Sequence, residues 1–200
     1  KINQSKIVIG YPIALLNKDV IKNSLSFNYE NTPLKIGYFG AFTKSVREPN
    51  NYLINIANSL GDNIKHEWYI NEESKKYFSS IKDISFHQFL GILPRELALE
   101  VMVDKLHVLL SIGNFNKYQM PSKVVEYLSL GKPVLHYAEI VDDPLYKFEK
   151  LFDNLKIINS ETTKNELEIY FEFIKEKRFE LDFENFNNKF SVSKLINDLI

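Results

Sequence analysis

Residues 106–135 read LHVLLSIGNFNKYQMPSKVVEYLSLGKPVL, and this stretch decides the fold. Its first eight residues are almost continuously apolar, which is typical of a strand buried on both faces of a parallel sheet. A polar loop follows, and then valines and leucines recur with a helical period. Pro121 suits the first position of that helix, and Gly131 suits the position just past its end. Because a second apolar run begins at Pro133, the stretch predicts a strand–helix–strand unit.

The same alternation recurs along the rest of the chain. The predicted strands are Lys6–Ile9, Leu34–Gly40, Glu67–Ile70, Ile84–Leu90, Leu106–Gly113, Pro133–Tyr137 and Leu155–Ile158. Helical periods lie at 53–60, 97–102, 124–128, 167–174 and 192–199. Repeated strand–helix units favour right-handed crossovers and a parallel sheet with helices on both faces. We therefore predict an α/β fold with a doubly wound, Rossmann-like sheet.

The alternation of strands and helices also predicts that the chain has three segments. Residues 1–33 contain one strand and then a polar stretch, and we interpret them as a leading strand and an interdomain linker. Residues 34–182 form the Rossmann-like domain. Residues 183–200 are expected to form an appended C-terminal bracing helix. Because the chain begins at Lys1 and not at a methionine, we expect it to be part of a longer protein.

Composition excludes several classes of function. The 200 residues are 44% hydrophobic and carry a net charge of −1, so a dedicated nucleic-acid binder is not expected. Cysteine is absent, which rules out disulfides, thiolate metal sites and a cysteine nucleophile, and suits a reducing cytosol. The four histidines are scattered, so no metal site is expected. His136, at a strand end, is the one histidine that could reach a ligand.

Ligands of an open parallel sheet bind beyond the carboxyl ends of its strands, so the loops there are the candidate sites. The loop after the first domain strand contains Gly40, Lys44 and Arg47. Glycine lets a backbone approach a ligand closely, and the two cations could bind a phosphate. The alternative is a solvated turn with two surface cations. Gly91 marks a second such turn, whose simplest interpretation is structural.

The loop and helix after the strand at 106–113 are the most informative. Asn114 lies in the loop, while Ser122 can cap the helix and Lys123 adds a cation where the helix dipole is already positive. Glu126 lies one turn beyond Ser122, on the same face. A carboxylate there suits vicinal hydroxyls, as on a ribose. The alternative for Glu126 is a surface ion pair with Lys123, three residues earlier.

Three motifs resemble a known family. The stretch PSKVVEYLSLGKPV at 121–134 resembles the donor-site helix of GT-B glycosyltransferases, in particular family 4. FLGILPRE at 89–96 is similar to that family's turn of the form F-x-G-x-x-x-x-E, and YFG at 38–40 followed by Arg47 is similar to its first strand and basic loop. The motifs occur in the family's order and spacing, and Tyr11-Pro12 lies where its interdomain linker enters the C-terminal domain.

The resemblance implies that the chain is the C-terminal, donor-binding half of a GT-B fold. The donor would be a nucleotide-diphosphate sugar, with Glu126 on the ribose hydroxyls and the basic loop and donor helix on the diphosphate. Lys44, Arg47 and Lys123 would then stabilise charge on the departing nucleotide. A separate N-terminal domain would hold the sugar or glycolipid acceptor, and no cofactor is implied. The protein would act in bacterial carbohydrate biosynthesis, in the cytoplasm or at the inner face of the membrane.

Two positions depart from the family pattern. Many members carry a second glutamate eight positions before the ribose carboxylate, where this chain has Tyr118. Asn114 or Gln119 could replace its hydrogen bonds to the sugar but not its charge. The usual arginine after the first loop glycine is Ala41, so Arg47 or Lys44 would have to serve the diphosphate.

The sequence also leaves two other functions open. One is a GT-B-like nucleotide-sugar epimerase, and the other is a degenerate binding or interaction module without catalysis. For the transferase, we expect Arg47 and Lys123 to lie near a common anion site. We also expect Glu126 to project into an open cleft without a salt-bridge partner across it, so that its oxygens stay free for hydroxyls.

Overall fold

A computed structural model describes residues 33–61, 64–79, 81, 85–176, 186 and 190. The apolar runs within them form a six-stranded sheet in which every pairing is parallel. Its strands are β1 (Leu34–Phe39), β2 (Ile64–Tyr69), β3 (His87–Phe89), β4 (Val108–Ile112), β5 (Val134–Tyr137) and β6 (Leu155–Ile158). The prediction of a doubly wound α/β fold is confirmed.

The strand order is β3-β2-β1-β4-β5-β6. The chain builds outward from β1 to β3, and then returns to the other side of β1 with β4 and builds outward again. The direction of winding therefore reverses between β1 and β4, where Ile36 lies beside Val108 and Gly37 beside Leu109. A crevice for ligands is expected at the carboxyl end of this pair.

Helices cover both faces of the sheet. Helix α1 has an α-helical start at Asn50–Tyr52, a π-helical centre at Leu53–Ala57 and an α-helical end at Asn58–Leu60. The others are a 3-10 helix (Glu72–Phe78), α2 (Arg95–Asp104), α3 (Ser122–Ser129), α4 (Tyr146–Glu149) and α5 (Lys164–Glu176). Side chains of α1 and α5 pack on one face, and those of α2, α3 and α4 pack on the other.

Strand β4 shows why a continuous apolar run is needed at this place. Val108, Leu110 and Ile112 belong to the core under α1 and α5, whereas Leu109 belongs to the core under α2 and α3. Alternate side chains of a strand point to opposite faces, so a strand covered on both sides must be apolar at nearly every position.

The boundaries differ from the predicted ones at several places. β2 begins three residues before the predicted strand at Glu67, and β3 is confined to three residues. Pro121 is the N-cap of α3, in an extended conformation, and not its first helical residue. Gly131 has φ +65°, as a residue just past a helix end should. The predicted strand Lys6–Ile9, the linker and the C-terminal bracing helix lie outside the described residues, apart from Phe186 and Phe190.

The outer edge of β6 is closed by local hydrogen bonds. Its outward N–H groups at Leu155 and Ile157 donate to the carbonyl of Phe152 (2.9 Å) and to Oε1 of Glu149 (2.9 Å). Open strand edges recruit other strands unless they are blocked. Glu149, which also pairs with Lys156, thus makes this edge a poor template for another strand.

Strand β2 buries an imidazole that must stay neutral. His66 is 1% exposed, and its Nε2 lies 2.7 Å from the hydroxyl of Tyr52. Burial, with a smaller contribution from the neighbouring His87, lowers the pKa of His66 to about 3. In the unfolded chain the same side chain titrates at its ordinary value of about 6.5.

We predict that His66 makes the fold sensitive to acid. Between about pH 6.5 and pH 3 the unfolded chain binds a proton that the folded chain does not, so stability falls as the pH is lowered through this window. His66→Gln keeps an acceptor for Tyr52 but does not titrate. Urea unfolding at neutral pH and at about pH 4.5 should show a loss smaller by about 2 kcal/mol in the variant than in the wild type. Equal losses would contradict the prediction.

Candidate functional site

A cleft of about 400 Å³ opens at the carboxyl edge of the sheet, on the α2 and α3 side of the reversal. Three segments form its walls: the end of β1 with the loop after it, the loop between β3 and α2 with the start of α2, and the first turns of α3. The residues lining it are Phe39, Gly40, Ala41, Tyr69, Ile92, Leu93, Arg95, Ala98, Leu99, Met102, Lys123 and Glu126. The cleft thus lies where the strand order predicts a ligand site.

The floor of the cleft is apolar and rigid. The rings of Phe39 and Tyr69, on neighbouring strands, stack with their centroids 4.3 Å apart. Above them the chain leaves β1 at Gly40, whose φ of +142° is unfavourable for any residue with a side chain. The N–H of Gly40 donates to the carbonyl of Tyr69 at 3.1 Å. The glycine therefore keeps the loop close to the floor and leaves the space above it open.

Among the described residues that line the cleft, Glu126 is the one carboxylate. It lies in the second turn of α3 and its side chain is 25% exposed. Its Oε1 accepts a hydrogen bond from Arg95 at 3.1 Å, and its Oε2 lies 3.9 Å from Nζ of Lys123. The expectation of a carboxylate without a partner across the cleft is wrong, because the first residue of α2 brings a guanidinium to the opposite wall. Arg95 belongs to the motif at 89–96, but 31 residues separate it from Glu126 in sequence, so no local pattern signals the pair.

The start of α3 lacks a side-chain cap. Ser122 is the first residue of the helix and not its N-cap, so the expected capping by Ser122 is wrong. It is exposed, beside Lys123, which lines the cleft. A helix start without a side-chain cap, with a lysine in its first turn, still favours an anion.

The basic loop after β1 is a tight turn. Backbone hydrogen bonds join Thr43 and Arg47 in both directions at 2.9 Å, and Ser45 between them has φ +61°. Lys44 projects into solvent from this turn and does not line the cleft. Of the two cations that the sequence proposed for one phosphate, Lys44 is thus exposed, whereas Arg47 at the end of the turn is half-buried.

Arg47 returns toward the reversal point between β1 and β4. Burial raises the pKa of the Tyr38 hydroxyl to about 12, and the charge of Arg47 acts in the opposite direction. Burial also raises the pKa of the Tyr127 hydroxyl on α3, and the charge of Arg47 acts against that rise. Arg47 therefore lies close to both hydroxyls. The hydroxyl of Tyr127 lies 3.5 Å from the carbonyl of Phe39, the last residue of β1, so Arg47 and Lys123 lie at the same end of the sheet.

Other predicted site residues lie outside the cleft. Asn114 is 3% exposed and its amide donates to the carbonyl of Gln119 at 2.8 Å. Gly91 has φ +73° and turns the chain toward α2 without lining the cleft. His136 is buried between Ser111 (3.0 Å) and Asp143 (3.1 Å), so the idea that it could reach a ligand is wrong.

A larger groove lies elsewhere and contains none of the predicted site residues. It measures about 620 Å³ and runs between β6 and α5, where Ile169 and Phe173 are exposed. Within the described residues, no group of three or more histidines and carboxylates could hold a metal ion. In the same part of the chain, no helix is long and apolar enough to span a membrane.

Comparisons with known proteins agree with this geometry at the level of the fold. No protein-family model matches the sequence, and no curated protein sequence matches it. AviGT4, a glycosyltransferase involved in avilamycin A biosynthesis, is a solved structure that matches with a TM-score of 0.57 and 13% identity, over 83% of this chain and 50% of its own. The apo form of the lipopolysaccharide outer core galactosyltransferase WaaB matches with a TM-score of 0.59 and 13% identity, over 96% of this chain and 55% of its own.

The chain has the Rossmann-like fold of a GT-B glycosyltransferase domain. It spans about half the length of each of these two structures. The expected fold is therefore confirmed, while the roles of the individual cleft residues stay predictions.

We predict that the Arg95–Glu126 pair contributes little to stability. Arg95 is 66% exposed in its side chain, and exposed ion pairs are typically worth about 0.2–1 kcal/mol. A double-mutant cycle with Arg95→Gln and Glu126→Gln, followed by urea unfolding, should give a coupling in that range. The exposed pair Lys164–Glu168 on α5 is the matched control. A coupling of several kcal/mol would show that the pair is a structural tie across the cleft.

Proposed function

We propose that the chain binds a nucleotide-diphosphate sugar as the C-terminal domain of a glycosyltransferase. A separate N-terminal domain would hold the acceptor, a sugar or a glycolipid. The single observation that carries the proposal is the arrangement of Arg95, Lys123 and Glu126 around one cleft at the reversal point of the sheet. The fold of the two neighbouring glycosyltransferases supports it.

The cleft offers separate chemistry for the two halves of a nucleoside diphosphate. The phosphates fit the part of the cleft around Lys123 and Gly40. Lys123 and the start of α3 beside it present positive charge, and the backbone at Gly40 leaves room for an approaching oxygen. Glu126 suits the two ribose hydroxyls. Its Oε1 is held by Arg95, whereas its Oε2 is 3.9 Å from Lys123 and keeps acceptor capacity for a hydroxyl.

The chain would assist transfer chiefly through charge. A nucleoside diphosphate gains negative charge as its bond to the sugar breaks, and fixed cations lower the energy of that state. Lys123 lies in the cleft, and Arg47 lies at the same end of the sheet. Lys44, in its exposed turn, would have to swing inward to take part. No residue of this chain is assigned as an acid, base or nucleophile.

The location of the whole protein follows from the same proposal. We propose that it works in the bacterial cytoplasm in carbohydrate biosynthesis, and that a glycolipid acceptor would bring it to the inner face of the membrane. The name of the neighbour WaaB, a lipopolysaccharide galactosyltransferase, supports an acceptor of that kind.

We predict that Glu126→Gln weakens nucleotide binding without weakening the fold. Thermal shift with UDP, GDP, ADP and CMP first identifies the preferred base, because a ligand that binds only the folded state raises stability. Calorimetric titration with that nucleotide should then show about 10- to 100-fold weaker binding, since hydrogen bonds to charged groups contribute about 1.5–3 kcal/mol. Glu100→Gln, an exposed residue on α2, is the control. Unchanged affinity would mean that Glu126 is structural.

We also predict that the 200-residue chain binds nucleotide but transfers no sugar. In this proposal the present chain supplies the donor cleft, whereas the acceptor would be held by another domain. Incubation with a labelled donor panel and an acceptor panel should give no product, while the longer protein turns over. Sugar transfer by this chain alone would contradict the proposal. If the longer protein isomerises the nucleotide-sugar, the result would favour the nucleotide-sugar epimerase. If it binds the nucleotide-sugar without turnover, the result would favour a binding module without catalysis.

A further inference from the structure

The ion pair between Arg95 and Glu126 spans the candidate cleft. Arg95 is the first residue of α2, Glu126 lies in the second turn of α3, and both line the cleft of about 400 Å³ from opposite walls. Nη2 of Arg95 donates to Oε1 of Glu126 at 3.1 Å. The guanidinium therefore lies between the walls, against the carboxylate that the proposed function assigns to the ribose.

The start of α2 does not by itself favour an arginine. The N-terminus of a helix carries partial positive charge, so a cation in its first turn is unfavourable. Helix α2 has no side-chain cap, because its N-cap residue is Pro94. Glu96 suits this helix end, whereas Arg95 adds charge to a place that is already positive. The charge of Arg95 is balanced instead by Glu126, across the cleft.

The ion pair can open at small cost. It is joined by a hydrogen bond from one guanidinium nitrogen, and not by the two parallel bonds that an arginine can make to a carboxylate. The side chain of Arg95 is 66% exposed, so water reaches it readily. Exposed ion pairs contribute little to stability and weaken as salt is added. A ligand that offers Arg95 a stronger acceptor can therefore draw it away from Glu126.

A diphosphate is such an acceptor. Among the described residues that line the cleft, the cations are Arg95 and Lys123. Both approach the same carboxylate, since Nζ of Lys123 lies 3.9 Å from Oε2 of Glu126. A diphosphate carries more charge than one carboxylate and can accept two parallel hydrogen bonds from a guanidinium. It would therefore compete with Glu126 for Arg95, and Lys123 would strengthen its hold on the cleft.

We propose that Arg95 gates the cleft. Without a ligand, its bond to Glu126 closes the part of the cleft where a ribose would lie. When a nucleoside diphosphate enters, Arg95 moves from Glu126 to the diphosphate, and the freed carboxylate accepts the two ribose hydroxyls. The proposal rests on the proposed function and adds a form of regulation to it, because the phosphates of the ligand open the place that its ribose fills. A nucleoside without phosphates must break the ion pair and offers Arg95 no replacement.

The test examines the two halves of the ligand separately. Arg95→Gln removes the guanidinium, and Lys105→Gln is the control, because Lys105 is an exposed cation at the opposite end of α2. The probes are inorganic pyrophosphate and the four nucleosides uridine, guanosine, adenosine and cytidine. Their binding is followed by NMR titration of the protein, which measures weak affinities.

The two kinds of probe should respond in opposite directions. At least one nucleoside should bind Arg95→Gln about two- to fivefold more tightly than the wild type, because the ion pair no longer opposes it. Pyrophosphate should bind Arg95→Gln about tenfold more weakly. Lys105→Gln should match the wild type with both probes. Raising the salt concentration from about 0.05 M to about 0.5 M should tighten nucleoside binding to the wild type but not to Arg95→Gln, since salt screens the pair.

Two results overturn the gate. If nucleosides bind Arg95→Gln as they bind the wild type, or more weakly, the ion pair does not oppose the ribose. If pyrophosphate binding does not depend on Arg95, or depends on Lys105 to the same degree, the guanidinium does not move to the phosphates.

The gate and the proposed function fail separately. If nucleoside diphosphates bind through Glu126 but Arg95→Gln changes the affinity of neither probe, the proposed function stands and the gate falls. If no nucleoside or nucleoside diphosphate binds, the proposed function falls, and pyrophosphate decides the gate. Pyrophosphate binding that is weaker in Arg95→Gln and stronger in Glu126→Gln keeps the gate as an ion pair opened by anions. If pyrophosphate does not bind either, both proposals fall.

Discussion

The contact between β1 and β4 is the constraint on which the rest of the structure depends. It is made close by the absence of a side chain at Gly37, because a β-carbon there would lie 2.2 Å from Cδ1 of Leu106. His107 fastens the pair: its N–H donates to the carbonyl of Lys35 at 3.0 Å, and its Nδ1 accepts from the N–H of Lys35 at 2.9 Å. An accepting Nδ1 requires a neutral ring, and burial lowers the pKa of His107 to about 4. The candidate residues lie on the loops and helices that follow this pair and its neighbouring strands.

The pair also separates two regions of different charge. On the α2 side, Arg95 and Lys123 surround the single carboxylate of Glu126. On the α1 side, Glu48 and Asp143 surround Glu139, and burial together with their charges raises its pKa. Coulomb interactions are strong where side chains are partly buried, so the two regions differ in the electrostatic environment that they present.

The sequence was sufficient to predict the sheet and the edge of the sheet at which the candidate cleft lies, since both follow from local patterns. Continuous apolar runs marked the strands, and Gly131 marked the end of α3. It could not predict the partner of Glu126, because Arg95 comes from another helix and only the packing of α2 against α3 brings the two together. The surroundings of Glu139 could not be predicted for a similar reason. Its Oε2 accepts a hydrogen bond from Asn51, 88 residues away, and no local motif signals a contact over that separation.

A buried set of Ser111, His136 and Asp143 has the residue types of a hydrolase triad, yet its position argues for a structural role. Ser111 lies inside β4 and is 3% exposed, His136 is fully buried, and neither lines either of the two large clefts. A nucleophile needs access to its substrate, and this serine has none. Instead, Asp143 accepts from His136 and from the N–H of Leu145, which ties the loop after β5 to the sheet. Asp143 is thereby held in place near Glu139, where burial is the main cause of the raised pKa of Glu139, and Glu48 and Asp143 contribute less.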